Sequence, residues 1–75
     1  MESFEPPEFS HGRDLEFRVD NGEVCIYGTP TGLRRLSELI LRLSAHSDGP
    51  TDHIHLDDYE LLTPRSLKAV IAVYL

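Results

Sequence analysis

The fold is decided by residues 15–27, which have the sequence LEFRVDNGEVCIY. Two runs of alternating apolar and polar residues flank Asn21-Gly22. This dipeptide between such runs is the strongest short-range signal for a β-hairpin, because a type I′ turn needs positive φ at both central positions. The partners that a two-residue loop predicts are Asp20 with Glu23, Val19 with Val24, and Phe17 with Ile26.

The same register divides the hairpin into two faces, because side chains alternate along a strand. The apolar face is predicted to carry Leu15, Phe17, Val19, Val24 and Ile26. The other face is predicted to carry Glu16, Arg18, Cys25 and Tyr27. Turn chemistry and apolar pattern therefore agree on one hairpin.

An amphipathic helix is predicted to follow the hairpin. Thr29 suits the N-cap and Pro30 the first helical position, where the missing N–H would have no partner in any case; Thr31 is the alternative cap. Apolar residues then recur at helical spacing, and Gly49-Pro50 marks the end of the segment. The predicted apolar stripe consists of Leu33, Leu36, Leu39, Ile40 and Leu43.

Two more strands are predicted after the helix, at residues 52–57 and 68–75, with a turn at residues 63–66. The last segment also fits a helical face, but its β-branched residues favour a strand. The element order ββαββ predicts an α+β fold, in which one amphipathic helix packs on one face of a four-stranded sheet. We expect residues 1–14 to form a flexible, acidic, Pro-containing arm and residues 15–75 to form a single α+β domain.

Composition limits the classes of partner and compartment. The chain has 75 residues, a formal net charge of −6 and one cysteine. A nucleic-acid partner needs a basic face, whereas an acidic surface suits a basic protein partner. No apolar segment is long enough to span a bilayer, and the N-terminal residues lack the pattern of a signal peptide. Cys25 has no partner for an internal disulfide, which favours a reducing compartment, so we expect a cytoplasmic protein. From the acidic charge and the short apolar segments, we expect it to bind neither nucleic acid nor membrane.

The third predicted strand places His53, His55 and Asp57 on one face and its apolar residues on the other. Two imidazoles at this spacing can both ligate zinc, with Asp57, Glu16 or Cys25 as a third ligand. Small strands contain such pairs without metal, so the alternative is a solvated or partner-binding face. Our prediction is that the chain holds no metal and no cofactor, and the small metal- or ligand-binding domain remains the alternative function.

No catalytic signature is present: the chain lacks a nucleophile elbow, a phosphate-binding glycine loop and a Cys–His arrangement. One helix covers one face of a sheet, so the opposite face is predicted to be uncovered, and it collects aromatic and ionisable groups typical of interfaces. This pattern favours a non-enzymatic protein-binding module, or a homodimeric accessory protein. The predicted partner-binding residues are Arg18, Tyr27, His53, His55, Asp57 and Tyr74.

Three segments together resemble a known family: the helix sequence GLRRLSELI at residues 32–40, DHIHLD at residues 52–57, and LLTPRS at residues 61–66, followed by an apolar C-terminal strand. This arrangement, over roughly residues 15–75, resembles the immunity protein 32 family, which comprises small bacterial α+β proteins. The resemblance implies a protein that neutralises a toxin of the polymorphic-toxin class, and the acidic charge of the chain favours a basic toxin domain. It supplies no catalytic residues.

Overall fold

The computed structural model describes residues 7–10, 12–45, 52–56 and 61–74. The elements follow the order predicted from the sequence, and the C-terminal segment is a strand rather than a helix. The elements are β1 (Leu15–Asp20), β2 (Glu23–Gly28), α1 (Pro30–Ala45), β3 (His53–Leu56) and β4 (Ala69–Ala72). The fold is therefore α+β with a single helix among the described residues.

The β1–β2 hairpin has the predicted register. Asp20 pairs with Glu23 and Phe17 with Ile26. Asn21 and Gly22 have φ values of 52° and 77°, as a type I′ turn requires. The local sequence alone therefore sets this element.

Helix α1 begins at Pro30, and Thr29 is its N-cap: the Gly32 N–H donates a hydrogen bond of 3.0 Å to Thr29 Oγ1. The apolar stripe is only partly covered. Leu36 is buried, whereas Leu33 and Ile40 are 45% and 42% exposed. The predicted stripe is thus buried at Leu36 and about half exposed at Leu33 and Ile40.

The described residues do not form the single four-stranded sheet that the sequence predicts. Instead, β1 pairs with β2 in one two-stranded antiparallel sheet, and β3 pairs with β4 in another. The edge of β1 opposite β2 is occupied by residues 61–67, which do not form a regular strand. A turn closed by the Ser66 N–H and the Thr63 carbonyl, 3.1 Å apart, interrupts this segment. After the turn, the Leu67 N–H donates to the Phe17 carbonyl at 2.9 Å, so the segment stays bonded to β1. Strand β4 begins at Ala69 and pairs with β3 instead.

Segment 61–67 is nevertheless hydrogen-bonded to β1. The Leu15 N–H donates to the Leu61 carbonyl at 3.0 Å, and the Thr63 N–H donates to the Leu15 carbonyl at 2.9 Å. Further along, the Phe17 N–H donates to Ser66 Oγ at 2.8 Å, so a side chain replaces a strand bond. Strand β1 is thus held on both sides at its N-terminal half.

The hydrophobic core collects one or two residues from most elements. Its buried members are Leu15, Phe17, Leu36, Leu56, Leu61 and Leu62, with Leu39, Ala69 and Ile71 packed against them. Val19, Val24 and Ile26, at the far end of the predicted apolar face, remain 59%, 75% and 51% exposed. We call these three residues the hairpin tip.

Residues just before β1 contact the body of the protein. Arg13 Nη1 donates to the Leu62 carbonyl at 3.0 Å, and the Asp14 N–H donates to the Leu61 carbonyl at 2.9 Å. The Asp14 backbone also lies so close to Gly32 that a Cβ there would be 2.3 Å from the Asp14 carbonyl oxygen. The flexibility of residues 1–14, and their boundary with the domain, stay predictions.

Candidate partner-binding surface

The outward face of the β3–β4 sheet carries His53, His55, Val70 and Ala72, which we call the histidine face. It arises from strand alternation: His53 lies opposite Ala72 and His55 opposite Val70, while the intervening residues turn to the core. All four are exposed. The two imidazole rings are 4.9 Å apart between centroids and stand edge to face at 82°. Tyr74, beyond the end of β4, is 94% exposed.

Arg18 and Tyr27 lie on the β1–β2 hairpin, on the strand face turned away from Leu15 and Phe17. The Arg18 guanidinium carbon is 4.8 Å from the centroid of the Tyr27 ring, within the range of a cation–π contact. Both side chains are half-buried. The hydrogen bond to Glu16 raises the pKa of Arg18, and burial, with the neighbouring Cys25 and Asp20, raises the pKa of Tyr27.

Glu16 is the buried centre of this side of the hairpin. Its side chain is 1% exposed and accepts a hydrogen bond of 2.6 Å from Thr63 Oγ1 and an ion-paired hydrogen bond from Arg18 Nε. Burial raises the pKa of Glu16, but the bonds from Thr63 and Arg18 and the charges of Arg18 and Arg65 outweigh it and leave the pKa below its usual value. The carboxylate therefore stays ionised and ties β1 to segment 61–67.

The structure brings the predicted partner-binding residues together in two groups. His53 and His55 form one on the β3–β4 sheet, and Arg18 and Tyr27 form the other on the β1–β2 sheet, while Tyr74 lies two residues beyond the end of β4. The first group is accessible, whereas Arg18 is held by Glu16. Asp57 lies outside the described residues. A single continuous binding face across four strands, as expected from the sequence, is thus replaced by two patches.

The histidine pair lacks an evident third metal ligand within the described ranges 7–10, 12–45, 52–56 and 61–74. No group of three or more His, Cys, Asp or Glu side chains there is arranged to hold a metal ion. Glu16 is already engaged with Thr63 and Arg18, and Cys25 Sγ lies 3.8 Å from the Glu23 carbonyl oxygen. Beside His53, a groove of about 380 Å³ separates β3 from the second half of α1. It is lined by Leu39, Arg42, Leu43, Asp52, His53 and Ile54.

Sequence reasoning missed two features of these surfaces. It placed Glu16 on an open face, although Glu16 is buried against Thr63, 47 positions away. The one local signal was the opposite charge of Glu16 and Arg18 at strand spacing. It also assigned the hairpin tip to the same apolar face as Leu15 and Phe17, but the alternation that reveals an apolar face does not reveal how much of that face is covered.

Comparison with known families shows where the chain belongs. A family model described as Immunity protein 32 matches residues 23–73, more than half of the chain. This chain belongs to the immunity protein 32 family. The matched span begins at the first residue of β2 and includes α1, β3, segment 61–67 and β4, so it confirms the resemblance and leaves β1 outside. No curated protein and no solved structure matched the chain.

The described part contains one helix of 16 residues, and none long and apolar enough to cross a membrane. The matched family is described as one of immunity proteins. The histidine face and Tyr74 are then the most exposed group among the described residues that we predicted to bind a partner.

Proposed function

We propose that this chain is a non-enzymatic immunity protein that neutralises a bacterial toxin domain by binding it in the cytoplasm. The observation that carries the proposal is the match to the immunity protein 32 family over residues 23–73. The net charge of −6 adds a preference for a basic toxin domain, because opposite net charges accelerate encounter. Nucleic acid and membrane are not part of the proposed role.

The binding surface in this proposal is centred on His53, His55 and Tyr74. Tyrosine is enriched among residues that dominate interface energies, and Tyr74 exposes 94% of its surface. Arg18, Tyr27 and Asp57 complete the proposed set. Arg18 and Tyr27 are expected to contribute less to the binding energy than the other residues of the set, since each is half-buried and Arg18 is ion-paired with Glu16.

Co-expression tests this proposal. The candidate toxin is a toxin domain encoded beside this chain, expressed in a bacterial host with and without it. We expect growth arrest by the toxin alone and growth in the presence of the wild-type chain. Arrest that continues despite folded, soluble wild-type protein would show that this toxin is not the target.

Variants locate the surface in the same assay. We expect His55→Ala combined with Tyr74→Ala to lose protection, because both side chains are exposed and their removal leaves the core intact. Leu41→Ala is the matched control, since Leu41 is 66% exposed on α1 and outside the proposed surface. Protection by the double variant equal to that by Leu41→Ala would place the toxin elsewhere on the chain.

A further inference from the structure

Strand β2 presents a free edge among the described residues, because it is hydrogen-bonded to β1 alone. Leu15 and Phe17 direct their backbone groups toward segment 61–67, away from β2. Hydrogen-bonded and non-hydrogen-bonded pairs alternate along an antiparallel ladder. Ile26, the partner of Phe17, and Val24 therefore direct their N–H and C=O groups outward, on the other side of the hairpin.

Strand β2 lacks the lysine, proline and bulge that commonly protect an edge strand. Such strands are usually short or carry lysine, proline or a bulge. β2 has six residues with the sequence EVCIYG, and it pairs with β1 without a bulge. The other described sheet has strands of four residues each. The side chains beside the open edge, Val24 and Ile26, are 75% and 51% exposed.

We propose that the edge of β2 pairs antiparallel with β2 of a second copy of this chain, with Cys25 opposite Cys25. In this register Val24 of each copy lies opposite Ile26 of the other copy. The outward backbone N–H and C=O groups of these two residues then hydrogen-bond to each other. It also extends the exposed apolar strip of the hairpin tip across both copies. The surface is separate from the histidine face and does not rest on toxin binding.

The opposite face of the paired strands is complementary in charge. The register sets Glu23 of one copy opposite Tyr27 of the second copy, whose ring lies under Arg18. The pairing thus gives Glu23 both a phenol donor and a nearby guanidinium, twice over by symmetry. A single pair of edge strands is smaller than a standard interface, so the dimer is concentration-dependent.

The native cysteine provides a direct probe of this register. Opposed residues in a non-hydrogen-bonded antiparallel pair have Cα atoms about 4.5 Å apart, within the range that a disulfide spans. Treatment with copper phenanthroline removes two electrons as the two thiols lose their protons and form one disulfide. We expect a covalent dimer to form rapidly from wild-type protein in about 0.15 M salt.

A control variant with its single cysteine moved out of β2 measures how fast random collisions alone produce cross-linked dimer. In the control, Cys25→Ser is combined with Val70→Cys, which places the thiol at a 58% exposed position of β4. We expect the wild-type chain to cross-link at least tenfold faster than this control. Equal rates would overturn the proposed register.

Sedimentation without oxidant tests the dimer itself. We expect dimer that dissociates on dilution, and its loss in Val24→Lys but not in Val70→Lys, where the same substitution is made at a similarly exposed valine. A wild-type chain that is monomeric at every concentration up to about 1 mM overturns the proposal. So does a monomeric wild type whose toxin binding is lost in Val24→Lys, since the edge would then belong to the toxin.

Discussion

The two ends of the β1–β2 hairpin have similar sequences and different surroundings. At one end, Leu15 is fully buried and Phe17 is 7% exposed; at the other, Val19 is 59% exposed on the same face of the same strand. What separates them is segment 61–67, which hydrogen-bonds to β1 only beside Leu15 and Phe17. Burial here is decided by a segment more than 40 positions away, and not by apolar alternation. We call the buried end, with segment 61–67, the hairpin root.

The largest expected effect is a difference in the free energy of unfolding between substitutions at the hairpin root and at the hairpin tip. Leu15→Ala removes a fully buried side chain and should lower the free energy of unfolding by about 2–5 kcal/mol. Val19→Ala, on the same face and four residues on, should change it by less than about 0.5 kcal/mol. Urea denaturation of both variants measures the difference. Similar losses in the two would mean that the tip is packed in solution.

Two glycines test how closely residues around the root approach. At Gly32, a Cβ would lie 2.3 Å from the Asp14 carbonyl oxygen, a backbone atom that cannot rotate away. At Gly28, the nearest atoms belong to the Leu15 and Leu33 side chains, at 2.8 Å. Gly32→Ala should therefore destabilise the protein by about 1–3 kcal/mol, and Gly28→Ala by less. Thermal melts compare them, and a reversed order would contradict the docking of Asp14 on α1.

The polar side of the root should make stability depend on pH. The pKa of Glu16 is lower in the folded than in the unfolded chain, so its contribution is present above the unfolded value, about 4.3, and is lost as pH falls through the folded value. Glu16→Gln should cost about 1–3 kcal/mol at pH 7. Denaturation of both proteins from pH 7 to pH 2.5 should show this difference shrinking with acid. A stability difference between the two proteins that does not change with pH would show that the ionised form of Glu16 does not stabilise the fold.

The smallest effect on stability is expected from metal removal at the histidine face. If His53 and His55 held zinc, a bound ion would stabilise the native state by mass action. We predict instead that a chelator leaves the melting temperature of untagged protein unchanged. A fall in melting temperature that added zinc reverses would revive the metal-binding alternative.

Local patterns predicted the elements but not their assembly. The register of the hairpin followed from Asn21-Gly22, and the start of α1 followed from Thr29 and Pro30, because each depends on backbone preferences within a few residues. The division into two sheets did not, since it depends on where residues 61–67 bond to β1. The outward direction of His53 and His55 was predictable from alternation, whereas the engagement of Arg18 with a buried Glu16 required the distant Thr63. Asp57 stays a prediction.

We propose that the chain neutralises a toxin domain through the histidine face and Tyr74, while the hairpin root maintains the fold. The most direct measurement is the affinity of a purified toxin domain for the wild type, for His55→Ala with Tyr74→Ala, and for Leu41→Ala. We predict that the double variant melts as the wild type does but binds at least tenfold more weakly, and that Leu41→Ala keeps full affinity. Full affinity in the folded double variant would contradict the claim.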